Sequence, residues 1–123
     1  HAPSSGGKDN SISNEIRTFT MMIEVITFKL PDDMTRENLL ENYKETTAKW
    51  RGVKELIRKN YIYDEKEWLG GGVYHWKNVE AADYWHGEDW RKFVRELYGN
   101  DPVVRRFAVP IVADNELSKT IEF

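Results

Sequence analysis

After residue 20, apolar and polar positions sort the chain into four strand-like and two helix-like stretches. Residues 22–30 (MIEVITFKL) are dense in β-branched and apolar side chains and close on Pro31-Asp32-Asp33, the pattern of a central strand ended by a turn. Thr35 then caps a helix, with Asn38 where Glu or Gln would complete a capping box. Leu39, Leu40, Tyr43, Thr47 and Trp50 recur at helical spacing up to Gly52. A second strand over 55–64 (ELIRKNYIYD) and a polar turn over 64–67 lead into a third strand over 68–76 (WLGGGVYHW). Three consecutive glycines weaken a strand, so Gly70, Gly71 and Gly72 predict either a bulge or a close approach by backbone or ligand.

Asn78 caps a second helix through Ala81, Ala82 and Trp85, with a break at His86-Gly87. The helix resumes at Glu88 and carries Trp90, Phe93, Val94, Leu97 and Tyr98 to a stop at Gly99-Asn100. Residues 103–113 (VVRRFAVPIVA) read as a fourth strand interrupted by Pro110, and 114–123 as a tail. The order β-α-β-β-α-β is the split-βαβ pattern, so the expected class is α+β. Two helices cover one face of a four-stranded antiparallel sheet in a ferredoxin-like sandwich spanning 21–123. The other face carries too much apolar surface to stay wet, which predicts a homodimer packed sheet against sheet. Residues 1–20 have too few apolar side chains for a core and read as an N-terminal arm.

Composition narrows the function. The chain has 123 residues, 40% hydrophobic and 32% charged, as in one globular domain. A net charge of −3, with acids beside each short basic cluster, argues against nucleic-acid binding. Without cysteine there is no thiolate metal site or thiol nucleophile, and no metal-ligand cluster, P-loop or nucleophile-elbow motif is evident, so no metal is expected. No apolar run is long enough to cross a membrane, and residues 1–10 lack the apolar segment of a signal peptide, so the expected location is the cytoplasm. Aromatic residues are 13% of the chain and gather between Tyr43 and Tyr98, which points to a cavity or an interface.

The third strand, Leu69-Gly70-Gly71-Gly72-Val73-Tyr74, resembles the apolar-Gly-Gly-x-Tyr strand of the YdhR-type monooxygenase family. Glu55-Leu56-Ile57-Arg58-Lys59 resembles the strand before it, and Phe107-Ala108-Val109 with Asn115-Glu116-Leu117-Ser118 resembles the closing segment. The similarity runs over about residues 22–118. It implies a dimeric α/β barrel, with cofactor-independent oxygenases of aromatic or polyketide-like substrates as relatives. Isomerases, cyclases and haem-degrading enzymes are further relatives. Trp76 and His86, ten residues apart, resemble the Trp and His of the haem-degrading members, but the Asn those carry on the first strand does not occur between Met21 and Leu30. Haem is therefore only a minor alternative to the expectation of no cofactor.

A cofactor-free oxygenase needs a dry pocket, donors that stabilise a substrate anion, and a base. The candidate catalytic residues are His86, His75 and Glu24. His86 lies at the helix break, where a pocket mouth often forms, and reads equally as functional or structural. His75 reads as a base or as a hydrogen-bonded strand histidine on the face opposite Tyr74 and Trp76. Glu24, alone in an apolar strand, must be paired or neutralised; it reads as an ion pair with Arg58, Arg105 or Arg106, or as a general base raised by burial.

Tyr43, Trp50 and Trp85 on the helices, and Tyr61, Tyr74 and Trp76 on the strands, are candidate substrate-binding rings or an aromatic core. Arg58 and Asn60, expected on one strand face with Leu56 and Ile62, complete the candidate substrate-binding set. The resemblance thus implies a cofactor-independent monooxygenase of a small aromatic or polyketide-like compound. A non-oxidative isomerase or cyclase in the same pocket, or a non-catalytic dimeric small-molecule binder, are the alternatives.

Overall fold

The computed structural model describes residues 21–123, so the N-terminal arm expected over 1–20 lies outside the described residues. The elements are β1 (Met22–Lys29), α1 (Arg36–Arg51), β2 (Leu56–Asp64), β3 (Leu69–Trp76), α2 (Val79–Trp85), α3 (Glu88–Tyr98), β4 (Val103–Ala108), β5 (Ile111–Asp114) and β6 (Lys119–Glu122). The first four strands paired in the order β2-β3-β1-β4, every pairing antiparallel, make an α+β fold compatible with the ferredoxin-like sandwich.

β1 alternates strictly between buried and half-buried positions, and its inward set is Met22, Glu24, Ile26 and Phe28. These side chains meet Tyr74 and Trp76 from β3 and the buried Leu39 and Trp50 of α1 in one core beneath the helices. α1 starts on the expected Thr35 cap: its hydroxyl accepts from the Asn38 amide at 3.0 Å while the Asn38 side chain accepts from the Thr35 amide at 3.4 Å. Its inward stripe runs Leu39, Tyr43, Thr46 and Trp50, replacing the expected Thr47 with Thr46, whose hydroxyl lies 2.7 Å from that of Tyr61. Thr47 is exposed, and its hydroxyl donates back to the Lys44 carbonyl.

The break expected at His86-Gly87 is present: His86 ends α2 with its amide on the Ala82 carbonyl, and Gly87 starts α3 afresh. One expectation is corrected. The stretch after Pro110, expected as the end of the fourth strand and a tail over 114–123, is neither. It forms a hairpin of β5 and β6, with the Asp114 carboxylate accepting from the Leu117 amide in the turn. Proline, which has no amide to donate, lies between β4 and β5, as the ladder requires.

The glycine run exists because other groups occupy the space its side chains would take. A Cβ on Gly71 would lie 1.9 Å from the Ile26 carbonyl oxygen, so only glycine lets β1 and β3 pair here. The Gly71 amide donates to the Tyr43 hydroxyl at 2.9 Å, which itself donates to the Ile62 carbonyl at 2.8 Å, tying α1 across two strands. At Gly72 a Cβ would meet the flexible Lys59 stem at 2.9 Å and the Tyr74 ring edge at 3.0 Å. Gly71→Ala is expected to cost about 3 kcal/mol, at the high end for overpacking, and Gly72→Ala less, because a lysine stem can move and a backbone carbonyl cannot. Urea denaturation of the two variants checks this; equal midpoints would contradict the packing.

Candidate active site

The helix-facing side of the sheet holds one carboxylate, Glu24, with no solvent exposure. Burying an ion is costly unless donors replace its water. Glu24 has three. Its Oε1 accepts from Trp76 Nε1 at 2.9 Å and from His86 Nδ1 at 2.6 Å, and its Oε2 accepts from Arg106 Nε at 2.9 Å. Arg106 continues outward to Asp83 on α2. One carboxylate therefore joins β1, β3, β4 and the break between α2 and α3.

Burial pushes the Glu24 carboxyl up, but the donors from His86, Trp76 and Arg106 outweigh it, and the group stays ionised below the usual carboxylate range. Burial also outweighs Glu24 at His86 and holds its imidazole below the usual histidine value. A neutral His86 must then carry its proton on Nδ1, facing Glu24. The other nitrogen, Nε2, is buried with no hydrogen-bond partner, which a bare lone pair tolerates better than an N–H does. The ring is boxed by aromatic neighbours at centroid distances of 4.1 Å (Trp90), 4.4 Å (Tyr74), 5.3 Å (Trp50) and 5.7 Å (Trp76).

In front of this polar cluster lies a cavity of about 790 Å³ between α1, α3 and the sheet, open to solvent on one side. That is ample for a small aromatic ligand. Trp50, Tyr61, Tyr74, Trp85, Trp90 and Tyr98 supply its main rings, with Tyr43 and Thr46 beside them. The residue that gives it chemistry is Lys59. Its Nζ lies 3.9 Å from the Tyr61 ring centre, 4.7 Å from Tyr74 and 4.9 Å from Trp50. Burial, and then the nearby Lys49 charge, lower its pKa to about 7, so free amine and ammonium coexist near neutrality.

Lys59 faces the cavity because of a bulge. Leu56 pairs with Trp76 and Arg58 with His75, leaving Ile57 as an extra residue that shifts the pattern by one. Beyond it Lys59, Tyr61 and Tyr63 point to the helices. Arg58 and Asn60 take the open face with Ile62, not with Leu56. They are thus corrected out of the cavity, as is His75, which pairs across from Arg58 and Ile23 on that open face. Of the other candidates, Tyr43, Trp50, Tyr61, Tyr74 and Trp85 line the cavity. Trp76, Glu24 and His86 form the layer behind Tyr74, and Glu24 pairs with Arg106 rather than with Arg58 or Arg105. Sequence reasoning missed Lys59, although its alternation with Tyr61 and Tyr63 carried the signal.

Fold and site together define an α+β protein with a helical layer over an antiparallel sheet and an aromatic, amine-bearing cavity between them. No protein-family model matches the chain, and no curated protein matches it. Among solved structures, a conserved protein of unknown function from Bacteroides thetaiotaomicron, described as a possible oxidoreductase, is similar in fold. Its TM-score is 0.57 at 15% identity, over 74% of this chain and 99% of that one. No helix among the described residues is long and apolar enough to cross a membrane.

The Glu24–His86 pair sets an acid-side stability profile. As pH falls through about 6.5 the unfolded chain protonates its histidines while native His86 resists, so stability drops. His75, lowered by burial and then by Arg58, contributes in the same window. Below about 4.5 the unfolded carboxyl protonates while native Glu24 stays ionised, and stability drops again until Glu24 itself protonates. Denaturation midpoints are expected to fall in these two stages below pH 7, and to rise above it toward about 10.5, where the unfolded chain keeps the Lys59 proton that the native state has lost near 7. His86→Gln, which can still donate to Glu24, should flatten the first stage. Glu24→Ala, which orphans three donors, should cost about 3–5 kcal/mol at pH 7. A first stage unchanged by His86→Gln would show that His86 is not held neutral.

Proposed function

We propose that this chain is an oxidoreductase, specifically a cofactor-independent monooxygenase that oxidises a small aromatic or polyketide-like compound in the cavity under α1 and α3. The observation that carries the reading is the Lys59 amine, half-buried among three rings on the cavity wall. The strand resemblance to YdhR-type monooxygenases supports it, as does a similar fold in a protein described as a possible oxidoreductase.

A substrate with an acidic methylene beside a ring carbonyl loses a proton to the free amine of Lys59. The ammonium so formed stays next to the developing anion, against an aromatic wall that screens the attraction less than water does. The anion supplies electrons to dioxygen, a carbon–oxygen bond forms, and loss of water from the peroxide leaves a carbonyl. One oxygen atom stays in the product and the other leaves as water, so the substrate itself is the reductant. Glu24 and His86 are positioning residues in this scheme, fixing the Tyr74 and Trp76 wall behind the substrate. The same amine also suits proton transfer without oxygen, which keeps an isomerase or cyclase as the second reading.

The active unit in this reading is a homodimer packed through the open sheet face. Val103 and Phe107 are 58% and 43% exposed there, beside half-buried Ile23, Val25, Ile62 and Val73. Light scattering is expected to give twice the 14.5 kDa chain mass, with Phe107→Asp shifting it to one. A wild-type protein of one-chain mass in dilute solution would remove the dimer.

Oxygen consumption with a hydroxyanthrone or quinol, without added flavin or metal, tests the chemistry. Lys59→Met should lower kcat by about 100-fold or more, the scale of a lost general base. Uptake equal in the variant and wild type would take Lys59 out of the reaction. Proton exchange into the substrate without oxygen consumption would favour the isomerase reading.

A further inference from the structure

We propose that Lys59 is a carbonyl-capturing nucleophile, whose amine forms an imine with an aldehyde or ketone carrying a flat apolar body into the cavity. This goes beyond the oxidation described above and requires no oxygen. Three features of the site point to it.

First, the amine has access and room. Lys59 lies on the cavity lining, and Gly72 leaves free the space beside its Cε that any Cβ would invade at 2.9 Å. Second, no carboxylate lies within ion-pair distance of it among the described residues. The charged and titratable groups around it are Lys49 from α1, Tyr61 on its own strand, Tyr74 on β3 and His86 after α2, with Tyr43, Tyr84, Glu88, Asp89 and Tyr98 lining the same cavity. Glu24, the buried acid behind Tyr74, is already held by three donors.

Third, a lysine desolvated in an apolar pocket beside another cation is the arrangement that frees an amine to act as a nucleophile near neutrality. Burial and Lys49 bring Lys59 to about 7, in keeping with that geometry.

The chemistry balances without a redox partner. The nitrogen lone pair adds to the carbonyl carbon, and the carbinolamine loses its oxygen as water. The nitrogen ends as a protonated imine, whose charge sits where the ammonium sat, over rings at 3.9–4.9 Å. That cation takes up the electron pair left when the neighbouring carbon loses a proton, or a carboxylate as carbon dioxide; the enamine so formed regains a proton at carbon, and water adds to the imine to release the carbonyl product and the free amine.

Incubation of the full chain at pH 7 with naphthaldehyde and cyanoborohydride, followed by peptide mass spectrometry, tests the inference. The reduced adduct is expected on Lys59, forming at least about tenfold faster than on the exposed Lys54 and Lys66. It should disappear from that peptide in Lys59→Arg. Because a variant can fold poorly, the wild-type profile is the second measurement: labelling of Lys59 should reach half its maximum near pH 7, well below the reference lysines. An unmodified Lys59 with adducts on Lys54 and Lys66, or a Lys59 profile matching theirs, would overturn the proposal. Trapping on Lys59 with no oxygen uptake would uphold it and sink the oxygenase reading alone.

Discussion

A single carboxylate with no access to solvent, Glu24, sets the terms for the rest of this molecule. An isolated ion in that position would be too costly to fold around, and the chain supplies three donors from three different elements to make it tolerable. The cost enforces geometry. Trp76, His86 and Arg106 must converge on one point, which fixes β3 and β4 against β1 and places the end of α2 over the sheet.

The cavity follows from that convergence. His86 terminates α2, its ring packed among Tyr74, Trp76 and Trp90, and the chain restarts as α3, which lines the cavity together with α1. Trp50, Tyr74 and Trp90, which pack on His86, also line the cavity. Lys59 enters the same space because one extra residue in β2 inverts the strand's inward set. Rigid support lies behind the wall, and a movable amine in front of it.

Much of this was legible in the sequence. The β1 strand, the Thr35 cap, the aromatic gathering and the order of the elements up to Pro110 followed from composition, spacing and capping chemistry, because those signals are local. The isolated Glu24 and the helix-break His86 were each visible as anomalies, but that they touch depends on strand register and helix angle, which no local pattern encodes. Arg58 and Asn60 were grouped with Leu56, and Lys59 was overlooked, because strict alternation from Leu56 holds only where no bulge intervenes. A bulge at Ile57 leaves no mark in composition. The hairpin after Pro110 was hidden for a different reason: its short strands are mostly exposed and lack the alternation that marks a buried one.

The protonation state of the buried pair is the most direct probe of the account, since an ionised Glu24 requires a proton on His86 Nδ1 and burial requires the imidazole to be neutral. Nitrogen-15 NMR of histidine-labelled protein between pH 6 and 8 reads this from the ring-nitrogen shifts. The account predicts a protonated Nδ1 and a bare Nε2 for His86 at neutral pH, with its titration displaced below that of an ordinary histidine. An imidazolium at neutral pH, or a proton on Nε2 instead, would contradict it.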